Sequence, residues 1–496
     1  MISATLFIIL ASLGGSLAQC PDYSTYSQQV HPPLSAGKYN LSSMRPASGC
    51  RTFVLPEVDH LIRSYKSKIS DPDLYRLFQN SFPNTLDTAI KWKGTAQGSD
   101  EELTFVITGD IDAMWLRDSA NQMQSYLSLL KPSANSSSLA SLYRGVINLQ
   151  SRYVLTDPFC NSFQAPAESG IPPATNGAAT NDNVTPPYSS TSVFECKYEL
   201  DSLAAFLEVS TNYYTATKDT AFFGKYQWLQ AVRTVLQTAT SMQIGTYADN
   251  GTVNTSPYTF QRLTTAGTET LSNGGIGNPV SPGTGLVRSA FRPSDDAAIY
   301  QLFIPANMMF SRYLNSTATI VRSLGTDDAL ASQLSALSTS IRSGIEKYGI
   351  ITTASGTQIY AYEIDGFASV NVMDDANIPS LLAAPVYGYL DASDPIYQNT
   401  RKLVLSTSNP YWMHGPAISA VGGPHEGPGY AWPMASIVRI LTSSDDAEIT
   451  AELKQLVSST SGLGLIHESI NTFNSGDWTR QWYVDFCSRR VDLAID

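Results

Sequence analysis

Carboxylates crowd into five short stretches of this 496-residue chain, each among aromatic, amide and cationic groups. The first, Thr108 to Asn121, reads TGDIDAMWLRDSAN and gathers Asp110, Asp112 and Asp118 around Trp115 and Arg117. An aspartate ahead of a helix accepts orphan backbone N–H groups, but that role explains one of the three and not the set. The second, Phe291 to Phe310, opens with Arg292-Pro293-Ser294-Asp295-Asp296. Here Pro293 predicts the start of a helix, Ser294 its N-cap, and the two aspartates its first turn. Adjacent like charges also raise each other's proton affinity, and a carboxyl kept protonated near neutrality is what a general acid requires. The third, Tyr362 to Asn377, carries Asp365 at an Asp-Gly turn, then Asp374, Asp375 and Asn377 ahead of another expected helix. The fourth, GGPHEGPGYAWP from Gly422 to Pro433, reads as a rigid loop presenting His425, Glu426, Tyr430 and Trp432. The fifth sets His467 beside Glu468.

Several chemistries fit this set badly. The chain has five histidines, none at the spacing that puts two ligands on one helix face, and no HExxH run. No EF-hand spacing appears, so neither zinc nor calcium is expected. A GxSxG elbow is absent, which argues against a serine hydrolase. What remains is a pocket of carboxylates and aromatic rings. Hydrolysis of a glycosidic bond needs one carboxyl to protonate the leaving oxygen and another to activate water, with rings to stack the sugar's apolar face. A lectin would use the same residue types without a paired acid and base, and composition and spacing leave both readings open.

The elements that must position these residues read as helices. Apolar residues recur at three and four spacing in 58–69, 119–130, 139–154, 197–214, 219–242, 296–314, 318–348, 378–390, 396–405, 432–441 and 447–458. About a dozen helices with very few alternating strand patterns predict an all-α fold. A double ring of about six inner and six outer helices fits that number, and so does an open helical solenoid. Residues 164–191 and 250–289, rich in Pro, Ala, Asn, Ser, Thr and Gly, read as long loops within one domain.

The N-terminus, MISATLFIILASLGGSLA, has the apolar run and small-residue end of a secretory signal peptide over 1–18. An extension over 19–55 and a catalytic domain over 56–496 then follow. Six Asn-X-Ser/Thr sequons, at Asn40, Asn135, Asn183, Asn250, Asn254 and Asn315, fit a secreted glycoprotein. In an oxidising compartment the five cysteines would give Cys20–Cys50 and Cys160–Cys196, each closing a local loop, with Cys487 left free. A net charge of −12 sets the chain against phosphate backbones and anionic lipid, so neither nucleic acid nor a membrane is an expected partner.

The runs GDIDAMWLRDSANQ, FRPSDDA with IPANMM, YEIDGF with MDDANIPSLL, GGPHEGPGYAWPM and HES, in that order, resemble glycoside hydrolase family 125, the metal-independent exo-α-1,6-mannosidases. The resemblance extends from about Glu57 to Asp485. It implies an (α/α)6 barrel and removal of a terminal α-1,6-linked mannose with inversion, without metal or other cofactor. Mannan or N-glycan oligosaccharides would be the substrates, acted on by a monomer. It also implies Asp295 as the general acid, with Asp296 as second choice, and Glu468 as the general base. Asp112, Trp115, Arg117, Asp118, Arg292, Asp296, Asp365, Asp375, His425 and His467 would line the sugar site. A catalytically inactive mannan-binding cell-wall protein of the same fold is the alternative, and a phosphorylase of similar shape is another. After Asp477-Trp478-Thr479-Arg480 the run QWYVDFCSRR departs from the family pattern, and the two long loops look elaborated.

Overall fold

A computed structural model describes residues 20–480. The expected signal segment, Cys487 and the QWYVDFCSRR run lie outside the described residues. The body is helix-rich, as the periodicity predicts. Helices at Leu116–Gln124, Leu139–Thr156, Leu200–Thr217 and Ile304–Leu324 are buried along most of their length. Leu200–Thr217 packs on both Leu116–Gln124 and Ile304–Leu324, so one apolar core runs between them. Asp328–Gly344 folds back on Ile304–Leu324, and Pro433–Leu441 pairs with Asp446–Ser458. Among the described residues, no helix is long and apolar enough to cross a membrane.

Four expected helices take a different form. Residues 219–242 divide into Thr220–Phe223 and Trp228–Ser241, with Gly224 ending the first. Residues 318–348 form two, because Gly325 ends the first in the left-handed region and the Asp327 carboxylate caps the second at Leu330 N. Residues 296–303 are not helical. Arg292 N bonds Asp296 O at 2.8 Å and Asp295 N bonds Arg292 O at 2.9 Å, a tight turn with Asp295 at φ +65°. The helix begins at Ile304, with Pro305 in its first turn in place of Pro293, and Ser294 caps nothing. Residues 378–390 form successive turns. Pro379 and Pro385 remove donors from a helical ladder, and the Asp374 carboxylate takes the Leu381 and Leu382 amides, each at 2.9 Å. A helix at Pro72–Ser81 was not expected; its signal is Asp71 capping Asp73 N and Leu74 N ahead of Pro72.

Strands are more numerous than the pattern suggests, because they are two to six residues long, too short to alternate visibly. Three small antiparallel sheets matter for the site. One joins Met114–Trp115, Ser162–Phe163 and Val193–Glu195; another joins Leu302–Phe303, Glu363–Ile364 and Val370–Asn371; the third joins Tyr430–Ala431, Ser469–Asn471 and Asn474–Thr479. Each feeds a buried helix, so the polar motifs are held at helix mouths.

Disulfides join Cys20 to Cys50 and Cys160 to Cys196. The long loops are braced against each other: Asn183–Thr185 pairs with Thr259–Gln261, and the buried Arg262 bridges Asp182 and Glu195, both at 2.7 Å. The N-terminal residues are tied to the body, with Met44 N donating to Asn80 Oδ1 at 3.0 Å and Ser35 Oγ donating to Asp73. Five sequon asparagines are exposed. The sixth, Asn254, is partly buried and gives its side-chain N–H to Gly245 O at 2.9 Å.

Candidate active site

The motifs meet at one cleft. Its walls include Trp115, Arg117, Asp118, Asp295, His425 and Glu468, together with Ser294, Asn377, Trp432 and Arg480. Asp295 reaches it from the left-handed turn ahead of the Ile304 helix, while Glu468 adjoins the Ser469–Asn471 strand. Two indole rings and a set of donors and acceptors around paired carboxylates form a small polar pocket of the kind that grips a hydroxylated ring.

The Asp295 wall is a cluster of buried charges. Arg117 Nη1 lies 2.8 Å from Glu199 Oε2 and 3.2 Å from Asp201 Oδ2, and Nη2 lies 3.2 Å from Asp118 Oδ2. Asn161 Nδ2 donates to Glu199 at 3.2 Å and to Asp295 at 3.1 Å. One guanidinium among several carboxylates cannot balance them all, and burial keeps part of the set protonated. Burial pushes Asp201 up to about 6 and Glu199 well above the carboxylate range. It also raises Asp118, with Arg117 offsetting part of the effect. Burial acts the same way on Asp295, but Lys197, Arg117 and His425 outweigh it and hold that carboxyl below its ordinary range.

The Glu468 wall is more open. Arg480 Nη1 stands 3.5 Å from Glu468 Oε1, and Thr479 Oγ1 donates to Oε2 at 3.3 Å. Burial raises the Glu468 carboxyl, and Arg480 and His425 pull it partly back. His425 faces both walls. Burial opposes charging its ring, but the Asp296 carboxylate 3.6 Å from Nδ1, with Asp295 and Glu468, raises it to about 9.

The remaining expected residues stand behind or beside the cleft. Arg292 pairs with the buried Glu363 at 2.6 Å and 3.0 Å, which fixes the turn that carries Asp295. Asp296 is buried behind His425. Asp375 takes Asn377 N and Nδ2 at 2.9 Å and 3.0 Å, and Gly423 packs so closely on it that a Cβ there would lie 2.9 Å from Asp375 Oδ2. That close approach holds the His425 loop against Asp375. His467 stacks on Trp478 with ring centroids 4.2 Å apart. Asp112 pairs with Lys91 at 2.9 Å on the rim of a neighbouring surface pocket. Asp365 is not brought to the cleft: its carboxylate closes its own turn by accepting the Phe367, Ala368 and Ser369 amides. Asn161, Glu199 and Asp201 carry no motif, yet two of the three adjoin the Cys160–Cys196 bridge, Asn161 directly and Glu199 three residues on. Among the described residues, no group of three or more His, Cys, Asp or Glu is placed to hold a metal ion.

Comparison with known proteins decides the family. Residues 71–486 match the metal-independent α-mannosidases of glycoside hydrolase family 125. The chain belongs to that family. The family-125 enzyme of Streptococcus pneumoniae, solved in a non-productive substrate complex with α-1,6-mannobiose, is 32% identical to this α-mannosidase at a TM-score of 0.77, over 89% of this chain and 98% of that one. The meiotically up-regulated gene 157 protein of Schizosaccharomyces pombe is 44% identical over 96% of this mannosidase and 92% of its own length. A family-78 rhamnosidase of a Bacillus species shares the fold alone, at 11% identity and a TM-score of 0.50, over 85% of this chain and 34% of that one.

Proposed function

We propose that this α-mannosidase is exo-acting, removes a terminal α-1,6-linked mannose and inverts the anomeric centre by single displacement. Asp295 protonates the leaving oxygen, and Glu468 takes a proton from the water that attacks C1 on the opposite face. The observation that carries this reading is that Asp295 and Glu468, remote in sequence, line one cleft. Asp295 is preferred over Asp296 as the acid because Asp296 is covered by His425. Inversion requires the two carboxyls to stand roughly 6.5–9.5 Å apart, leaving room for the water. Trp115 and Trp432 would stack the mannose ring, and Arg117, Asp118 and His425 would bind its hydroxyls.

The α-1,6 preference is supported by the disaccharide held by the pneumococcal relative, and the substrates would be mannan or N-glycan oligosaccharides. An (α/α)6 barrel is the closure we propose for the helices, with the site at its mouth. The leader-like first 18 residues, the two disulfides and the exposed sequons support secretion as a glycoprotein.

The test is substitution of each carboxylate. Asp295→Asn and Glu468→Gln should each lower kcat on α-1,6-mannobiose by about 10²–10⁴-fold, with mannose binding by calorimetry largely preserved. Full activity in Glu468→Gln would remove the base assignment, and full activity in Asp295→Asn the acid.

A further inference from the structure

A general acid needs a proton, and the surroundings of Asp295 favour its absence. Lys197, Arg117 and His425 all face this carboxyl. Alone among them it would be ionised across the working range of pH and would have nothing to donate. Its neighbour Glu199 changes that. Asn161 Nδ2 reaches an oxygen of each carboxyl, Glu199 Oε1 at 3.2 Å and Asp295 Oδ1 at 3.1 Å. The amide cannot turn over without losing a bond, because Asn161 Oδ1 accepts Lys197 N at 3.1 Å. Two carboxylates gathered on one amide nitrogen repel each other as anions, which favours one proton held within the pair. The other Glu199 oxygen is fixed by Arg117 at 2.8 Å and Ser202 Oγ at 3.0 Å, and the side chain is wholly buried.

We propose that Glu199 is the positioning residue of the acid: Glu199 and Asp295 hold one proton between them, and Glu199 keeps it available for Asp295 to donate. This rests on Asp295 being the acid. Burial favours the protonated form of Glu199 in the free enzyme, while the cations favour Asp295 as the anion. With substrate bound, the proton crosses to Asp295 and Glu199 takes the negative charge against Arg117. Asp295 then gives the proton to the glycosidic oxygen, which leaves with the C–O bonding pair, while Glu468 takes one proton from the attacking water. The pair is left doubly ionised, and Glu468 is protonated. Release of that proton to solvent and uptake of one by the pair restore the enzyme. The charged groups facing the pair are Arg117 and Asp118 from the Leu116–Gln124 helix, Lys197 and Asp201 around Glu199, and His425 from its loop.

The test separates leaving groups by their need for a proton. Glu199→Gln should lower kcat on α-1,6-mannobiose by about 100-fold or more, while on 2,4-dinitrophenyl α-mannoside it stays within about threefold of wild type. The alkaline limb of its pH–rate profile on mannobiose should move to lower pH, since Asp295 loses its proton sooner. Asn161→Ala leaves every charge in place and should show the same selectivity at smaller size, which keeps the proposal testable if Glu199→Gln fails to fold. Equal losses on both substrates, or an unmoved alkaline limb, would overturn it. Asp295→Asn, run in parallel, must show the same selectivity. If it does not while Glu199→Gln does, the acid assignment has failed, and the proton belongs to Glu199 itself.

Discussion

Asp295 stands in a wall of buried charges, whereas Glu468 stands beside a hairpin whose cation, Arg480, is 40% exposed. On the first side, Arg117, Glu199 and Asp201 are almost wholly enclosed, and the Cys160–Cys196 bridge pins the chain that carries Asn161 and Lys197. On the second, burial raises the carboxyl's proton affinity, and a partly solvated guanidinium trims it. The contrast suits the two tasks. A donor must keep a proton in a field of cations, so its surroundings are locked away from salt and solvent. A base must lose its proton near neutrality, which Arg480 and His425 favour against burial.

The largest expected effect that would break this comparison comes from Arg117→Met. It leaves Glu199, Asp201 and Asp118 around an apolar side chain and should cost about 3–5 kcal/mol of unfolding free energy in urea titration. A loss below about 1 kcal/mol would mean that the acid wall is not held as an ion cluster. Next comes the bridge. Replacing Cys160 and Cys196 together by Ser should cost about 2–4 kcal/mol in the same titration. It should also reduce kcat, because Asn161 and Lys197 adjoin the two cysteines. Replacing Cys20 and Cys50 should cost stability without that loss of kcat, since neither lines the cleft. The smallest structural effect is expected from Arg480→Met, within about 1 kcal/mol of wild type. Its signature lies in pH. Arg480 lowers the proton affinity of Glu468, so its removal leaves burial less opposed and moves the acid limb of kcat/KM to higher pH. A limb that stayed in place would mean that Arg480 does not govern the base.

Much of this contrast was legible in the sequence, and unevenly so. The helices with three- and four-spaced apolar residues were readable, as were the motif residues Trp115, Arg117, Asp118, Asp295, His425 and Glu468, which share the cleft. The Asp295 turn was misread as a helix start because Pro-Ser-Asp-Asp is a good N-terminal signal locally. Tertiary bonding prevailed there, with Arg292 drawn to Glu363. Residues 378–390 have helical periodicity, but their amides are claimed by Asp374. Asp365 lay in the YEIDGF run and serves its own turn. Glu199 and Asn161 left no local trace, since one precedes a helix buried along most of its length and the other follows a cysteine. Their meaning arises only when the strands at Ser162–Phe163 and Val193–Glu195 pair.

The most direct test of the two-carboxylate single displacement is a proton NMR time course on α-1,6-mannobiose, read before mutarotation proceeds. β-Mannose should appear first, with the α anomer following only as the sugar equilibrates. α-Mannose as the first product would place a covalent glycosyl-enzyme on the path and contradict the roles given to Asp295 and Glu468.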